Sequence, residues 1–324
     1  MNIVITDYKT VSNDTSTFDV FKKFGDITLY PSTAPNEVSQ RIQNADMVIC
    51  NKTLITADSM KTAKNLKYIG LFATGYNNID IEYTTKHNIA VCNAGSYSTN
   101  AVAQHTFALI LNHFSKVNEY NNFVQNGGWK KSDVFSPMVY ESHEIANKTI
   151  GIIGYGSIGK AVAKIANAFS MNVLVNTRTP QNDTTVKFVS LDELLENSDI
   201  VTVHCPLNSM SERMFNDETF AKFKKNAFFI NTARGGVVDE NALKNALEND
   251  IIGGAAIDTI TTEPMREDCV LYGVKNLTIT PHIAWSPVET INRLISIVET
   301  NIQNYLNNKP TNLIQSEEWK VELL

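Results

Sequence analysis

Thr149–Gly159 reads TIGIIGYGSIG. An apolar run, Thr149–Gly154, ends in three glycines at GxGxxG spacing, and the helical pattern Ile158–Ser170 follows. Each glycine has a task in a strand–turn–helix unit. Gly154 permits the tight turn, Gly156 admits a pyrophosphate to the backbone, and Gly159 lets helix pack on strand. The helix N-terminus turns N–H groups and the positive end of its dipole toward phosphates. In that setting the glycines predict a dinucleotide site, with a purely structural turn as the alternative.

On both sides of the glycines, short apolar runs alternate with helical patterns. Upstream, strands are expected at Asn2–Thr6, Asp26–Tyr30, Met47–Asn51, Tyr68–Thr74 and Ile89–Asn93. Helix-like spacing lies between them, as at Pro35–Asn44 and Thr56–Lys64. Downstream, strands are expected at Asn172–Thr177, Asp199–Cys205, Ala227–Thr232, Gly254–Asp258 and Leu277–Thr280, with a helix at Glu240–Glu248. Alternation of this kind implies parallel strands with crossover helices. A long helix over Thr99–Gln125 divides the two series, and a last amphipathic helix, Val288–Leu306, closes the chain. The reading is α/β, with two doubly wound parallel-sheet domains. Residues 1–98 and 286–324 form one, and residues 99–285 form the dinucleotide-binding one.

The 324 residues exceed what one core usually serves. A net charge of −6 with scattered Lys and Arg argues against nucleic-acid or membrane-surface partners. The start, MNIVITDYKT, reads as a strand and not as a signal peptide. No run approaches the ~18 apolar residues of a membrane helix. Cys50, Cys92, Cys205 and Cys269 show no CxxC spacing and read as small buried hydrophobes, so a reducing, cytoplasmic setting is expected. No metal-ligand spacing stands out, and no nucleophile motif suggests acyl transfer.

The residues after the second strand of the dinucleotide unit bear on the cofactor. NAD sites usually carry Asp or Glu there for the ribose 2′-OH. This strand ends Asn176-Thr177-Arg178-Thr179, and the next carboxylate, Asp183, is too far along in sequence. Arg178 can pair with a 2′-phosphate, and Asn176, Thr177 and Thr179 can hydrogen-bond it. NADP is therefore expected over NAD.

Hydride transfer to a keto acid needs a cation for the carboxylate, an acid for the carbonyl oxygen, and a group that keeps the acid charged. Histidine suits the acid role, and a nearby carboxylate favours its charged form. Three ionisable residues follow late strands. Arg234 comes after AFFINTA, Glu263 shortly after GAAIDT, and His282 after NLTITP. In doubly wound sheets, ligands bind beyond those strand ends.

The segments GLFATGYNNID (Gly70–Asp80), AQHTFAL (Ala103–Leu109), KTIGIIGYGSIG (Lys148–Gly159), NTARGGVVD (Asn231–Asp239), AIDTITTEP (Ala256–Pro264) and TPHIAW (Thr280–Trp285) carry a resemblance over nearly the whole chain. The chain resembles the D-isomer-specific 2-hydroxyacid dehydrogenases, and within them the glycerate dehydrogenase and glyoxylate/hydroxypyruvate reductase branch. The resemblance implies a flavodoxin-like substrate domain beside a Rossmann dinucleotide-binding domain. It implies Arg234 as the substrate-binding arginine, Glu263 as the partner of the histidine, and His282 as the acid/base. Thr74–Gly75 match the loop that holds the substrate carboxylate. Ser157 and Ile158 match the phosphate-facing turn. Cys205, Pro206, Thr232, Ala233 and Asp258 match positions lining the nicotinamide half. The departure is at Asn176–Arg178, where NAD-using members carry Asp. A homodimer and a product of D configuration are implied in the same way.

Other histidines read differently. His105 reads as packed or interfacial, His204 as a lining residue, and His87, His113 and His143 as surface residues. Lys52 has two readings, a substrate contact or a solvent-facing lysine, and so has Trp285, a residue reaching an active site or one that simply packs. A reductase of a larger 2-keto acid remains an alternative. So does a dinucleotide-sensing protein, since the wider family includes transcriptional corepressors with the same domains.

Overall fold

A computed structural model describes residues 1–314; residues 315–324 of the expected 286–324 segment lie outside them. The chain divides into two compact units, Met1–Ser98 with the segment from Ser286, and Thr99–Trp285.

The first unit starts with β1 (Asn2–Ile5) and β2 (Asp26–Leu29), then α1 (Val38–Ile42), β3 (Met47–Cys50), α2 (Ala57–Met60), β4 (Tyr68–Leu71), α3 (Ile81–Lys86) and β5 (Ala90–Cys92). All pairings are parallel and the order is β2-β1-β3-β4-β5. That is the flavodoxin-like order. β3 and β4 are buried at every residue, which explains why MVIC and YIGL read as unbroken apolar runs. Between β1 and β2 the chain forms a 3₁₀ segment, Thr15–Phe24, that buries Phe18, Phe21 and Phe24. Phe18 and Phe21 both pack on Phe72, with ring centroids 5.8 and 6.0 Å away.

The second unit runs α4 (Thr99–Ser115), α5 (Val117–Gln125), β6 (Thr149–Ile153), α6 (Ser157–Ala168), β7 (Asn172–Asn176), β8 (Lys187–Phe188), α7 (Leu191–Asn197), β9 (Ile200–Val203), α8 (Asp217–Phe220), β10 (Phe228–Asn231), α9 (Glu240–Glu248), β11 (Gly254–Ile257) and β12 (Leu277–Ile279). Its parallel sheet has the order β12-β11-β10-β9-β6-β7-β8. The direction of winding reverses between β6 and β9, the arrangement of a Rossmann sheet. On one side Phe107, Ile110 and Phe114 of α4 pack with Val162, Ala163 and Ala166 of α6. On the other, Phe215, Phe220, Phe223 and Phe229 form an aromatic cluster. From Ser286 the chain returns to the first unit as α10 (Val288–Leu306). There Asn301 donates to Asn93 O at 2.8 Å, and the Tyr305 ring lies 4.9 Å from that of Tyr68.

The expected strands all form, each slightly shorter than read; the two-residue edge strand β8 was not anticipated. Three expectations are corrected. The helix over Thr99–Gln125 is two helices, because Lys116 takes a left-handed φ of 55° between them. Thr56–Lys64 holds only the short α2, which Thr56 and Ser59 cap reciprocally. His113 is not a surface residue. Its ring stacks on Phe228 at 3.9 Å and lies against the start of β11 at Gly254. Cys50 and Cys92 are buried as expected, while Cys205 and Cys269 are only half-buried.

Burial, reinforced by the charges of Lys116 and His143, lowers the His113 pKa from 6.5 to about 4. Burial alone lowers that of His204 to about 3. Between those values and 6.5 the unfolded chain binds more protons than the folded one. Stability therefore falls as pH drops from 6.5 toward 4 for His113, and toward 3 for His204. We expect the slope of unfolding free energy against pH, from urea titrations across pH 4 to 6.5, to be shallower in His113→Gln. An unchanged slope would assign the acid sensitivity to other groups.

Candidate active site

Gly154 follows β6 with φ 93°, which an L side chain rarely adopts, and its N–H closes onto Asn176 O at 2.8 Å. A Cβ there would strike the backbone of His204 and Cys205 at 2.8 Å, so the turn lies against the end of β9. At Gly159 a Cβ would stand 2.1 Å from Gly154 O, which fixes how closely α6 approaches the strand. At Gly156 a Cβ would meet nothing within 4 Å. Gly156 is the N-cap residue of α6, and no side chain caps that end. Open space over an uncapped helix N-terminus fits a pyrophosphate. Ser157 and Ile158 begin that helix.

The segment after β7 folds back on the turn. Tyr155 Oη donates to Asp183 Oδ2 at 2.6 Å, and Gln181 Nε2 donates to Tyr155 O at 3.4 Å. Asp183 thus returns to the glycine turn, contrary to its distance in sequence. Its other oxygen accepts from the amide and hydroxyl of Thr185. Bonds from Thr185 and Tyr155 lower its pKa to about 2, while burial and this carboxylate raise that of Tyr155 to about 12. Asn176 spends its amide on Val189 O at 3.0 Å. Thr177 is half-buried and Arg178 exposed beyond it.

The three ionisable candidates stand on loops after adjacent strands β10, β11 and β12. After β10, Asn231 accepts from Ala233 N and donates to Arg234 O, bracing a turn that leaves Arg234 exposed. Thr232 is buried and Ala233 half-buried in the same turn. Arg234 Nη1 rests on Ala233 O at 2.7 Å. At Gly235 a Cβ would stand 2.0 Å from Ile260 C, so this loop packs directly on the one that carries Glu263. That second loop is pinned by Glu240 of α9, whose Oε1 accepts from Thr261 N at 2.6 Å.

Glu263 Oε2 lies 2.7 Å from His282 Nδ1. An ionised carboxylate only accepts, so Nδ1 carries the proton and Nε2 is turned the other way on the ring. The His282 backbone is left-handed, φ 56°, and its N–H reaches both Asp258 O and Thr280 O. Asp258 is 1% exposed. Its carboxylate accepts from Thr280 Oγ1 at 2.5 Å and from the amides of Ile283 and Ala284 at 2.9 Å each. Sequence reasoning placed Asp258 near the nicotinamide and missed this bracing role. It also missed Thr280 and Glu240. The signal available was a lone carboxylate directly after an apolar strand, where burial demands donors.

His204 is enclosed at the end of β9, with Nε2 3.0 Å from Thr202 Oγ1 and no partner for Nδ1 among the described residues. Cys205 and Pro206 follow it on the way out of the strand. His105 stands 3.0 Å from Thr280 Oγ1. Trp285, half-buried, ends the second unit.

In the first unit, Thr74 Oγ1 donates to Gly95 O and Asn93 donates to Thr74 O, so the turn of exposed Thr74 and half-buried Gly75 is anchored below. The amides of Asn51, Lys52 and Thr53 all point at the buried carboxylate of Asp7, 2.6 to 2.9 Å from its nearer oxygen. Asn51 also gives its side chain to Thr10, which makes it a structural residue. No cluster of metal-ligating side chains occurs among the described residues, nor does any helix long and apolar enough to cross a membrane.

Residues 107–284 match the family model described as "D-isomer specific 2-hydroxyacid dehydrogenase, NAD binding domain". A hydroxypyruvate reductase of Blautia hydrogenotrophica is 34% identical over 320 residues, 97% of this chain and 99% of the relative. A glycerate dehydrogenase of Methylorubrum extorquens is 37% identical over 290 residues, 89% of this chain and 91% of the relative. Among solved structures, an acyclic imino acid reductase (Bsp5) in complex with NADPH and D-Arg superposes with a TM-score of 0.86. It is 32% identical and covers 97% of this chain and 100% of its own. With the fold, the glycine turn and the histidine–glutamate pair, these likenesses place the chain in the D-isomer-specific 2-hydroxyacid dehydrogenase family, as an NAD(P)-dependent oxidoreductase.

Proposed function

We propose that this enzyme reduces a small 2-keto acid, of hydroxypyruvate or glyoxylate size, to the D-2-hydroxy acid, and prefers NADPH to NADH. The observation that carries the reading is the His282–Glu263 pair, 2.7 Å apart, on strand-end loops next to that of Arg234. Relatives named for hydroxypyruvate and glycerate, spanning most of the chain, support the substrate class.

Gly154, Gly156, Ser157, Ile158 and Gly159 would hold the pyrophosphate. Thr177 and Arg178 would take the 2′ end of the adenosine. Cys205, Pro206, Thr232, Ala233 and Asp258 would border the nicotinamide, with Asp258 keeping its carboxylate in the His282 loop. When bound, the reduced nicotinamide supplies the hydride. Arg234 binds the substrate carboxylate and polarises the carbonyl, because a guanidinium matches two oxygens at once. The Thr74–Gly75 amides hold the carboxylate as well, a role that rests on the family resemblance. His282 gives its Nε2 proton to the carbonyl oxygen, and Glu263, holding Nδ1–H, keeps the ring in that orientation. In the reverse direction His282 takes the hydroxyl proton. The same residues could serve a larger keto acid or a dinucleotide sensor, so turnover decides among the readings.

The NADPH preference rests on Arg178, the absence of Asp or Glu at Asn176–Arg178, and the engagement of Asp183 with Tyr155 and Thr185. The NADPH named for the imino acid reductase supports it.

The segment after α4 supports a homodimer. Phe135 is 92% exposed and Met138 90%, and Val117, Trp129 and Val134 are also exposed. α5 buries none of its residues. A run of apolar side chains in water is unusual for a monomer, and a second copy of this chain is the occupant the family resemblance implies. The expected dimer face is thus this segment and not α4, whose apolar side is spent internally. Four free thiols support a reducing, cytoplasmic setting.

Three outcomes are expected. With NADPH, hydroxypyruvate or glyoxylate gives turnover, and His282→Ala loses nearly all of it, roughly 100-fold or more, while keeping NADPH affinity. No turnover with any 2-keto acid, despite tight NADPH binding, would favour the sensor. Second, kcat/KM is higher for NADPH than for NADH, and Arg178→Ala lowers it about tenfold for NADPH alone; a clear NADH preference in the wild type ends that reading. Third, light scattering gives a dimer, and Phe135→Asp with Met138→Asp gives a monomer. A wild-type monomer would remove the interface.

A further inference from the structure

His105 lies on α4, distant in sequence from His282, yet its ring reaches the loop that carries the proposed acid. Nε2 is 3.0 Å from Thr280 Oγ1 and 3.7 Å from Asp258 Oδ1. The proton positions follow from counting. Thr280 Oγ1 and Asp258 Oδ1 are 2.5 Å apart. An ionised carboxylate has no proton to give, so the threonine hydroxyl donates its only one to Asp258. Toward His105 the same oxygen can then only accept. His105 therefore carries a proton on Nε2 and donates it to Thr280.

Asp258 is the next link. Besides the Thr280 hydroxyl it accepts the amides of Ile283 and Ala284, and its own carbonyl accepts the amide of His282. One run of hydrogen bonds leads from His105 through Thr280 and Asp258 to the backbone on both sides of His282. That backbone is left-handed at His282, a setting an L residue keeps only when its surroundings hold it there. The other inward residues of α4 nearby, Val102, Ala103, Thr106 and Phe107, are apolar apart from Thr106. Thr106 bonds to Val102 O in its own helix and stands 3.5 Å from Thr232 Oγ1 in the Arg234 turn, away from the His282 loop. Among the described residues of this stretch, His105 is the one that directs a polar group to the loop that carries His282.

We propose that His105 is a positioning residue for the acid. By donating to Thr280 it orients the hydroxyl and the Asp258 carboxylate, which together fix the turn that sets the His282 ring on Glu263. The proposal rests on His282 being the acid. Packing alone would make different demands, since a leucine of similar size would then replace His105 as well as any polar residue.

The test is steady-state kinetics with NADPH and the best keto acid, together with NADPH affinity by fluorescence titration. We expect His105→Leu to lower kcat roughly ten- to a hundredfold, the scale of a small displacement of a reacting group, with NADPH affinity held within about twofold. His105→Gln, which keeps an N–H donor at that reach, should regain most of the loss. Thr280→Val should repeat the leucine pattern and Thr280→Ser should not, which keeps the test open if His105→Leu fails to fold. Glutamine as damaging as leucine, a loss in kcat under about twofold, or NADPH affinity falling in step with kcat would each overturn the proposal. Normal turnover in His282→Ala would overturn the acid assignment itself, whatever His105 does.

Discussion

The half of the second unit that carries the proposed catalytic residues depends on one buried carboxylate. Asp258, 1% exposed, needs donors if it is to remain ionised out of water. Residues 280–284 supply them as one hydroxyl and two amides. The need is mutual. That segment belongs to no helix or strand, so its amides have no ladder to satisfy them. A left-handed residue costs roughly 1–3 kcal/mol. A hydrogen bond to a charged acceptor contributes about 1.5–3 kcal/mol, and three of them outweigh that cost. The backbone at His282 can be strained because the carboxylate beneath it is satisfied in the same act.

A second constraint sets where this happens. The strand order reverses between β6 and β9, so loops from the two halves of the sheet leave in opposite directions and open a crevice there. Gly154 lies against His204 and Cys205 at that point. The loops of β10, β11 and β12 follow on the same side of the reversal. The glycine turn and the loops of the proposed catalytic residues are brought together by topology before any side chain is chosen. Residue choice then refines the site, with Gly235 allowing the Arg234 loop to lie on Ile260.

The sequence made these two levels unequally legible. Strands buried on both faces announce themselves as apolar runs, and the glycine spacing has few other uses, so the fold and the dinucleotide turn could be read directly. Arg234, Glu263 and His282 could be placed on strand-end loops, and the family resemblance supplied their roles. Contacts that depend on a loop's return path could not be read. Asp183 looked too remote to matter, yet the loop folds back and seats it on Tyr155. His113 looked like a surface residue because a lone histidine in an amphipathic helix carries no mark of what it faces; it faces Phe228. The break at Lys116 was hidden because apolar spacing continues across it while one φ angle reverses.

The two residues that meet the substrate in the proposed reaction are held very differently, and their tasks account for it. His282 must present one nitrogen at one angle, since proton transfer tolerates little misalignment. Its ring is fixed by Glu263 and its backbone by Asp258. Arg234 must meet an anion arriving from solvent. Its turn is rigid, but its side chain is exposed and, among the described residues, rests only on the neighbouring carbonyl of Ala233. A carboxylate on the substrate displaces that neutral acceptor because it brings a full opposite charge and two oxygens that the planar guanidinium can bond at once. The protein thus keeps the proton donor aligned before substrate arrives and leaves the cation able to move onto it.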